Sequence, residues 1–102
     1  MNEEQIKELI TRRRRQILVH SIIYYKLDDC IVSDNQWAEW ALELEELQSK
    51  YPDIAYDCPY AEAFEGFEHS SGYNLPLDDP WGVRKARLLL EWRDARMKGE
   101  KL

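Results

Sequence analysis

A chain of 102 residues with a net charge of −6 has room for one domain, which buries roughly 65% of the surface its unfolded form exposes. Its 44% hydrophobic and 12% aromatic content argues against intrinsic disorder, and the acidic balance argues against general nucleic-acid binding, which needs a local positive field. Cys30 and Cys58 form no CxxC pair, so neither a zinc nor a thioredoxin-like motif is present, and whether the two pair stays open. No run approaches the ~20 apolar residues of a membrane span. The acidic, amphipathic start is unlike an export signal, so a reducing cytoplasm without membrane contact is expected.

The spacing predicts a first helix over about residues 3–26. Asn2 is its cap, and Gln5 completes a capping box. Ile6, Leu9, Ile10, Ile17 and Tyr24 follow a helical stripe interrupted at Arg13, and Leu18, Ile22 and Tyr25 widen it, so the second half is expected to be buried on more than one side. Residues 12–15 are four arginines, which point all round a helix and cannot form one basic face. Salt bridges with stems laid over the core account for them most simply. The alternative is that one or two, Arg13 among them, reach a phosphate or carboxylate, which the planar guanidinium grips with two bonds.

After a connector over residues 27–32, Ser33 with Gln36 forms a second capping box, and Asp34 sits where the helix dipole favours a negative charge. Trp37, Trp40, Ala41, Leu44 and Leu47 make a clean stripe, with Glu39, Glu43, Glu45 and Glu46 mostly opposite. This second helix, about 34–50, ends at Tyr51-Pro52 and packs on the first as an antiparallel hairpin.

Residues 51–79 are punctuated by Pro52, Pro59, Gly66, Gly72 and Pro76. Pro59 is expected to open a short helix carrying Tyr60, Ala63 and Phe64, and 67–77 an irregular loop or small hairpin. Loops of this length are often functional, and 55–79 reads as a lid over the helix junction, with Tyr56, Tyr60, Phe67 and Tyr73 as walls. Asp79-Pro80 then starts a last helix, about 80–98, with Gly99 as its stop. Val83, Ala86, Leu89, Leu90 and Met97 form its stripe, Trp81, Leu88 and Trp92 an adjoining face. Its Arg84, Lys85, Arg87, Arg93 and Arg96 are expected to face the acidic second helix or solvent. The fold class is all-α.

Catalytic patterns are thin. His20 and His69 are the only histidines and have no metal-ligand spacing. His69, Ser70 and Ser71 are adjacent, which is not how a serine triad is presented. The chemistry concentrates instead between His20 and Trp40. Aromatic faces there suit a nucleotide base or a pyridinium ring, the latter with an added cation–π attraction of about 0.5–2 kcal/mol, and carboxylates suit ribose hydroxyls. The candidate ligand-binding residues are Arg13, His20, Tyr24, Tyr25, Asp28, Asp34 and Trp37, with no catalytic and no metal site. Tyr24, Trp37 and Trp40 also fit a core at helical spacing, and Asp34 is first of all a helix N-terminal acid.

Residues 20–54 resemble the N-terminal helical subdomain of NAD-dependent DNA ligases. The shared features are the Tyr24-Tyr25 pair, the acidic connector with Asp28, Ser33-Asp34-Asn35-Gln36-Trp37, the Leu44 and Leu47 spacing, and Tyr51-Pro52. With Leu75-Pro76-Leu77 and Pro80-Trp81, the whole chain also resembles small ligase-related proteins of phages and prophages. The resemblance implies a subdomain that holds the nicotinamide mononucleotide (NMN) half of NAD. In it Tyr24 and Tyr25 would lie near the nicotinamide, Asp34 would be an essential acid, and Trp37 would replace a tyrosine stacked on the ring. Ala38 stands where those ligases carry a second aspartate. The Lys-x-Asp-Gly nucleotidyltransferase motif is absent, so ligation by this chain alone is not expected.

The reading that follows is a non-catalytic phage or prophage accessory protein in the cytoplasm of a bacterial host. It would bind NMN, NAD or an ADP-ribose-type nucleotide and sequester an NAD-derived defence signal. The competing reading is a protein–protein interaction module, as a homodimer or a modulator of a host protein such as DNA ligase. Glycohydrolysis of NAD with Asp34 or another carboxylate is a third.

Overall fold

The computed structural model describes residues 1–70 and 72–100, the last three as backbone only. Ser71 therefore lies outside the described residues. Four helices and no strand are present among them: α1 (Glu3–Tyr25), α2 (Asp34–Lys50), α3 (Pro52–Tyr56) and α4 (Pro80–Glu100). The all-α expectation holds, and none of the helices is long and apolar enough to cross a membrane.

The α1 start is the box expected from Asn2 and Gln5. Asn2 Oδ1 accepts from the Gln5 amide at 2.8 Å, and Gln5 Oε1 accepts from the Asn2 amide at 3.0 Å. With no glycine or proline to interrupt it, α1 runs 23 residues and packs against α2, α3 and α4. That three-sided contact is why Ile17, Leu18, Val19, Ser21, Ile22 and Ile23 are all buried. Tyr24 and Tyr25 extend the apolar stripe in sequence but stand 56% and 40% exposed at the end of α1. At α2, Ser33 Oγ accepts from the Gln36 amide at 3.1 Å, and Ala41 and Leu44 are its fully buried side chains.

The four arginines take four different partners. Arg12 pairs with Glu8 on its own helix, Arg13 with Glu43 of α2 at 3.0 Å, and Arg15 lies over the Trp81 ring of α4. Arg14 is buried. Its Nε–H donates to Gln48 Oε1 at 2.9 Å, and its Nη1–H to the carbonyls of Cys58 and Pro59 at 3.2 and 3.0 Å. These bonds tie the chain after α3 onto α1 and α2.

The short helix between α2 and α4 is opened by Pro52, not Pro59. Pro52 occupies the first turn of α3, where its missing N–H costs nothing. After Pro59 the chain makes turns instead of the expected helix, because Tyr60 adopts φ +67, outside the right-handed helical region. No hairpin forms over 67–77, which follows turns and bends at its described positions. α4 begins at the expected cap, with Asp79 Oδ2 accepting from the Gly82 amide at 2.9 Å. The same oxygen takes the Tyr60 hydroxyl at 2.9 Å. A Cβ at Gly82 would meet Ile22 Cδ1 at 2.6 Å, so glycine is what lets α4 cross α1 this closely. The helix continues through Gly99 to Glu100 and does not stop there as expected.

Candidate functional site

A cavity of about 300 Å³ opens where α1 ends and α2 begins. The last turns of α1 contribute His20, Ser21, Tyr24 and Tyr25. The connector contributes residues 30–33, the first turns of α2 Asp34, Trp37 and Ala38, and the segment before α4 His69 and Ser70. Five of the seven predicted residues are therefore brought together: His20, Tyr24, Tyr25, Asp34 and Trp37.

The other two are not among the lining residues. Arg13 is engaged elsewhere, its Nε–H on Glu43 and its Nη1–H on Gln16 Oε1 at 2.7 Å. Asp28 has a backbone role. It adopts φ +53, a left-handed conformation that aspartate tolerates better than most residues, and this turn leads the chain out of α1.

The aromatic groups are held in different ways. Trp37 Nε1–H donates to Ser21 Oγ at 3.2 Å, which fixes the edge of the indole against α1. Tyr24 and Tyr25 meet edge to face at 4.9 Å, and Tyr25 meets Tyr73 in the same manner at 5.6 Å. His20 is tilted against Trp40 at 5.5 Å. Its Nδ1 is buried and has no hydrogen-bond partner among the described residues, and burial pushes the imidazole pKa down, so the ring is neutral at pH 7.

Two side-chain pairs hold the non-helical walls. Arg93 of α4 makes a fork on Asp29, Nη1 to Oδ1 and Nη2 to Oδ2, both 2.9 Å. The fork and the Cys30 amide together hold the Asp29 carboxyl at a pKa of about 2. On the opposite side, Glu45 of α2 accepts from the His69 amide at 3.1 Å and contacts His69 Nδ1, and these bonds pull its carboxyl below the usual range. Gly72 then lies so close that a Cβ there would meet Ser21 Oγ at 2.2 Å and Trp37 Cζ2 at 3.2 Å.

The expected lid walls are corrected accordingly. Tyr56 is 80% exposed, Tyr60 is tied to Asp79, and Phe67 packs on Phe64 at 5.2 Å. Tyr73 meets Tyr25 at the rim and is not among the lining residues. His69 and Ser70 line the cavity instead. Ser21, Gly72, Asp29 and Arg93 were not singled out for the site by sequence reasoning. Only Ser21 carried a signal, as a small polar residue inside an apolar helical run.

Among the described residues that line the cavity, Asp34 is the one carboxylate, and no lysine or arginine is present. Three aromatic side chains and one acid suit a flat, positively charged ring. An anion would find no lysine or arginine there, and the one imidazole on that side, His69, is engaged by Glu45.

The family of DNA ligase-like, N-terminal NAD+-binding domains matches residues 3–60. Similar proteins include the DNA ligase of Fervidobacterium nodosum, 32% identical over 85% of this chain and 14% of its own length. The DNA ligase of Pseudothermotoga lettingae is 34% identical over 82% of this chain and 13% of its own. That of Thermodesulfovibrio yellowstonii is 30% identical over 93% and 14%. The chain thus spans about a seventh of the length of these relatives. No solved structure matches it.

Proposed function

Because the chain belongs to the family of DNA ligase-like, N-terminal NAD+-binding domains, we propose that the α1–α2 cavity binds the nicotinamide half of a nucleotide without chemical conversion. The observation that carries this reading is the composition of the cavity: the rings of Tyr24, Tyr25 and Trp37 with the Asp34 carboxylate, and no lysine or arginine among its described lining residues. A pyridinium ring gains about 0.5–2 kcal/mol from such faces, and the Asp34 carboxylate adds charge complementarity or accepts from a ribose hydroxyl. An ADP-ribose end brings a neutral base and a diphosphate, for which the described lining supplies no lysine or arginine.

Size supports the same choice. Ligand pockets run from about 300 to 1,000 Å³, and this one, at about 300 Å³, has room for a ring and ribose rather than a dinucleotide. NMN, or the nicotinamide end of NAD, is the ligand that fits best, with its phosphate directed to solvent. Ala38 leaves Asp34 without a second acid beside it, which favours micromolar over nanomolar affinity, about −8 against −12 kcal/mol. Capture of a free NAD-derived nucleotide, as a phage or prophage accessory protein would need, requires the tighter figure.

The interaction-module reading draws on a different face. Leu88 and Trp92 lie one turn apart on α4, and Trp92 is 68% exposed, a pair that would suit a second copy or another protein.

Titration calorimetry with NMN and ADP-ribose separates the readings, using the wild type and Asp34→Asn, an exposed position whose change leaves the core intact. NMN is expected to bind with one site per chain, at least tenfold weaker in Asp34→Asn, and ADP-ribose not to compete. Equal NMN affinity in both proteins would remove Asp34 from the site, and tight ADP-ribose binding would reverse the choice of ligand.

A further inference from the structure

Arg93 lies in the second half of α4, beyond the residues 3–60 that match the family, and 64 positions from its partner in sequence. It reaches the connector that forms one wall of the cavity. Besides the two-bond fork on the Asp29 carboxylate, its Nη1–H donates to the Cys30 carbonyl at 3.2 Å. Asp29 Oδ1 in turn accepts from the Cys30 amide at 2.7 Å. One guanidinium thereby holds both the side chain of Asp29 and the backbone of Cys30.

The residues so held are where the wall begins. Between Asp29 and the α2 cap at Ser33 the chain follows bends rather than helix, and Cys30, Ile31 and Val32 all face the cavity. The preceding turn at Asp28 is left-handed, so the course of the wall depends on what anchors it after that turn. α4 provides the anchor, and α4 is itself seated on α1 by the close crossing at Gly82. Arg93 also contacts Asp94, its neighbour on α4, at 3.1 Å, which steadies the guanidinium in the orientation the fork requires.

We propose that Arg93 is a positioning residue for the nucleotide, its fork on Asp29 holding the 30–32 wall at the separation from Trp37 that admits the ring. This rests on the nucleotide reading of the cavity. It assigns α4 a part in binding although none of the described lining residues belongs to α4. It also requires the fork itself: a lysine has the charge but cannot make two parallel bonds to one carboxylate.

The test measures NMN affinity by calorimetry on the full chain for the wild type, Arg93→Lys, Arg93→Gln, Asp29→Asn and the Arg93→Gln/Asp29→Asn double variant, with melting temperatures recorded beside it. Each single change is expected to weaken NMN about tenfold. The double variant is expected to lose no more than either single one, since the two groups act as one unit. Melting temperatures should change little, because a pair this exposed contributes little to global stability.

A second readout is the reactivity of a cavity-lining thiol, measured first without ligand and then with NMN. The cavity-lining Cys30 should react faster with iodoacetamide in Arg93→Gln, and NMN should protect it in the wild type more than in the variant. Wild-type NMN affinity in Arg93→Gln and Asp29→Asn would overturn the proposal while leaving the nucleotide reading in place. Failure of the wild type itself to bind NMN would overturn both.

Discussion

Gly72→Ala should destabilise the protein far more than an alanine usually does in an irregular segment. The new Cβ would lie 2.2 Å from Ser21 Oγ, 3.0 Å from Ser21 Cβ and 3.2 Å from Trp37 Cζ2, where ordinary contacts sit near 3.5–4.0 Å. Ser21 is 1% exposed, so its hydroxyl cannot turn away without giving up the Trp37 indole. Overpacking of this kind costs about 1–3 kcal/mol, and the lost hydrogen bond about 0.5–1.5 kcal/mol. A loss of about 3 kcal/mol lowers the melting temperature of a domain this size by about 10–20 °C. Detachment of the 69–72 segment would cap the loss, at the expense of the cavity wall.

Thermal and urea unfolding, followed by circular dichroism and tryptophan fluorescence, measure this. Ser21→Ala supplies the internal control, because it removes the 2.2 Å contact and leaves the other two. In a double-mutant cycle Gly72→Ala should therefore cost about 1 kcal/mol less in the Ser21→Ala background than alone. A Gly72→Ala protein melting within about 2 °C of the wild type, or a cycle with no coupling, would refute the packing described for this wall.

Three further outcomes follow from the same geometry. Arg14→Ala removes three hydrogen bonds from a buried cation and opens a void beside Phe64, so urea unfolding should show a loss of about 2–4 kcal/mol. Stability should fall as the pH drops below about 6.5, because burial disfavours the charged form of His20 in the folded state and the unfolded chain then binds more protons. His20→Gln should flatten that slope in melting curves taken from pH 7.5 to 5.5. Ala38→Asp places a second carboxylate on the cavity and should tighten NMN about tenfold in calorimetry at low salt, with the gain shrinking as salt rises.

What was legible in the sequence was local. The caps at Asn2 and Ser33 act within three residues, and the Trp37, Ala41 and Leu44 stripe repeats within two turns, so α1, α2 and their junction follow from neighbouring residues. The five predicted side chains that meet at the cavity also fall within two adjacent helix ends, where backbone geometry alone brings them together. Asp28 and Arg13 share that neighbourhood in sequence, but a left-handed turn and a carboxylate on the facing helix redirect them.

The errors and omissions are long-range. Nothing near Pro59 announces that Arg14, 45 positions earlier, draws in its carbonyl, or that Tyr60 turns left-handed and reaches Asp79. The same holds for the wall over the cavity. His69 finds Glu45 across 24 positions, and Arg93 finds Asp29 across 64. Such pairs depend on how α4 and the 57–79 segment settle on α1, which periodicity does not reveal.

The central claim is that the cavity reads the positive charge of a nicotinamide ring. Its most direct test compares, by calorimetry at pH 7.5 and low salt, the affinities of NMN and of its dihydro form, which has nearly the same size and phosphate but an uncharged ring. Loss of the cation–π attraction alone, about 0.5–2 kcal/mol, together with the Asp34 carboxylate, should make the reduced form bind about tenfold or more weakly than NMN. Equal affinity, tighter binding of the reduced form, or no binding of either would contradict the account.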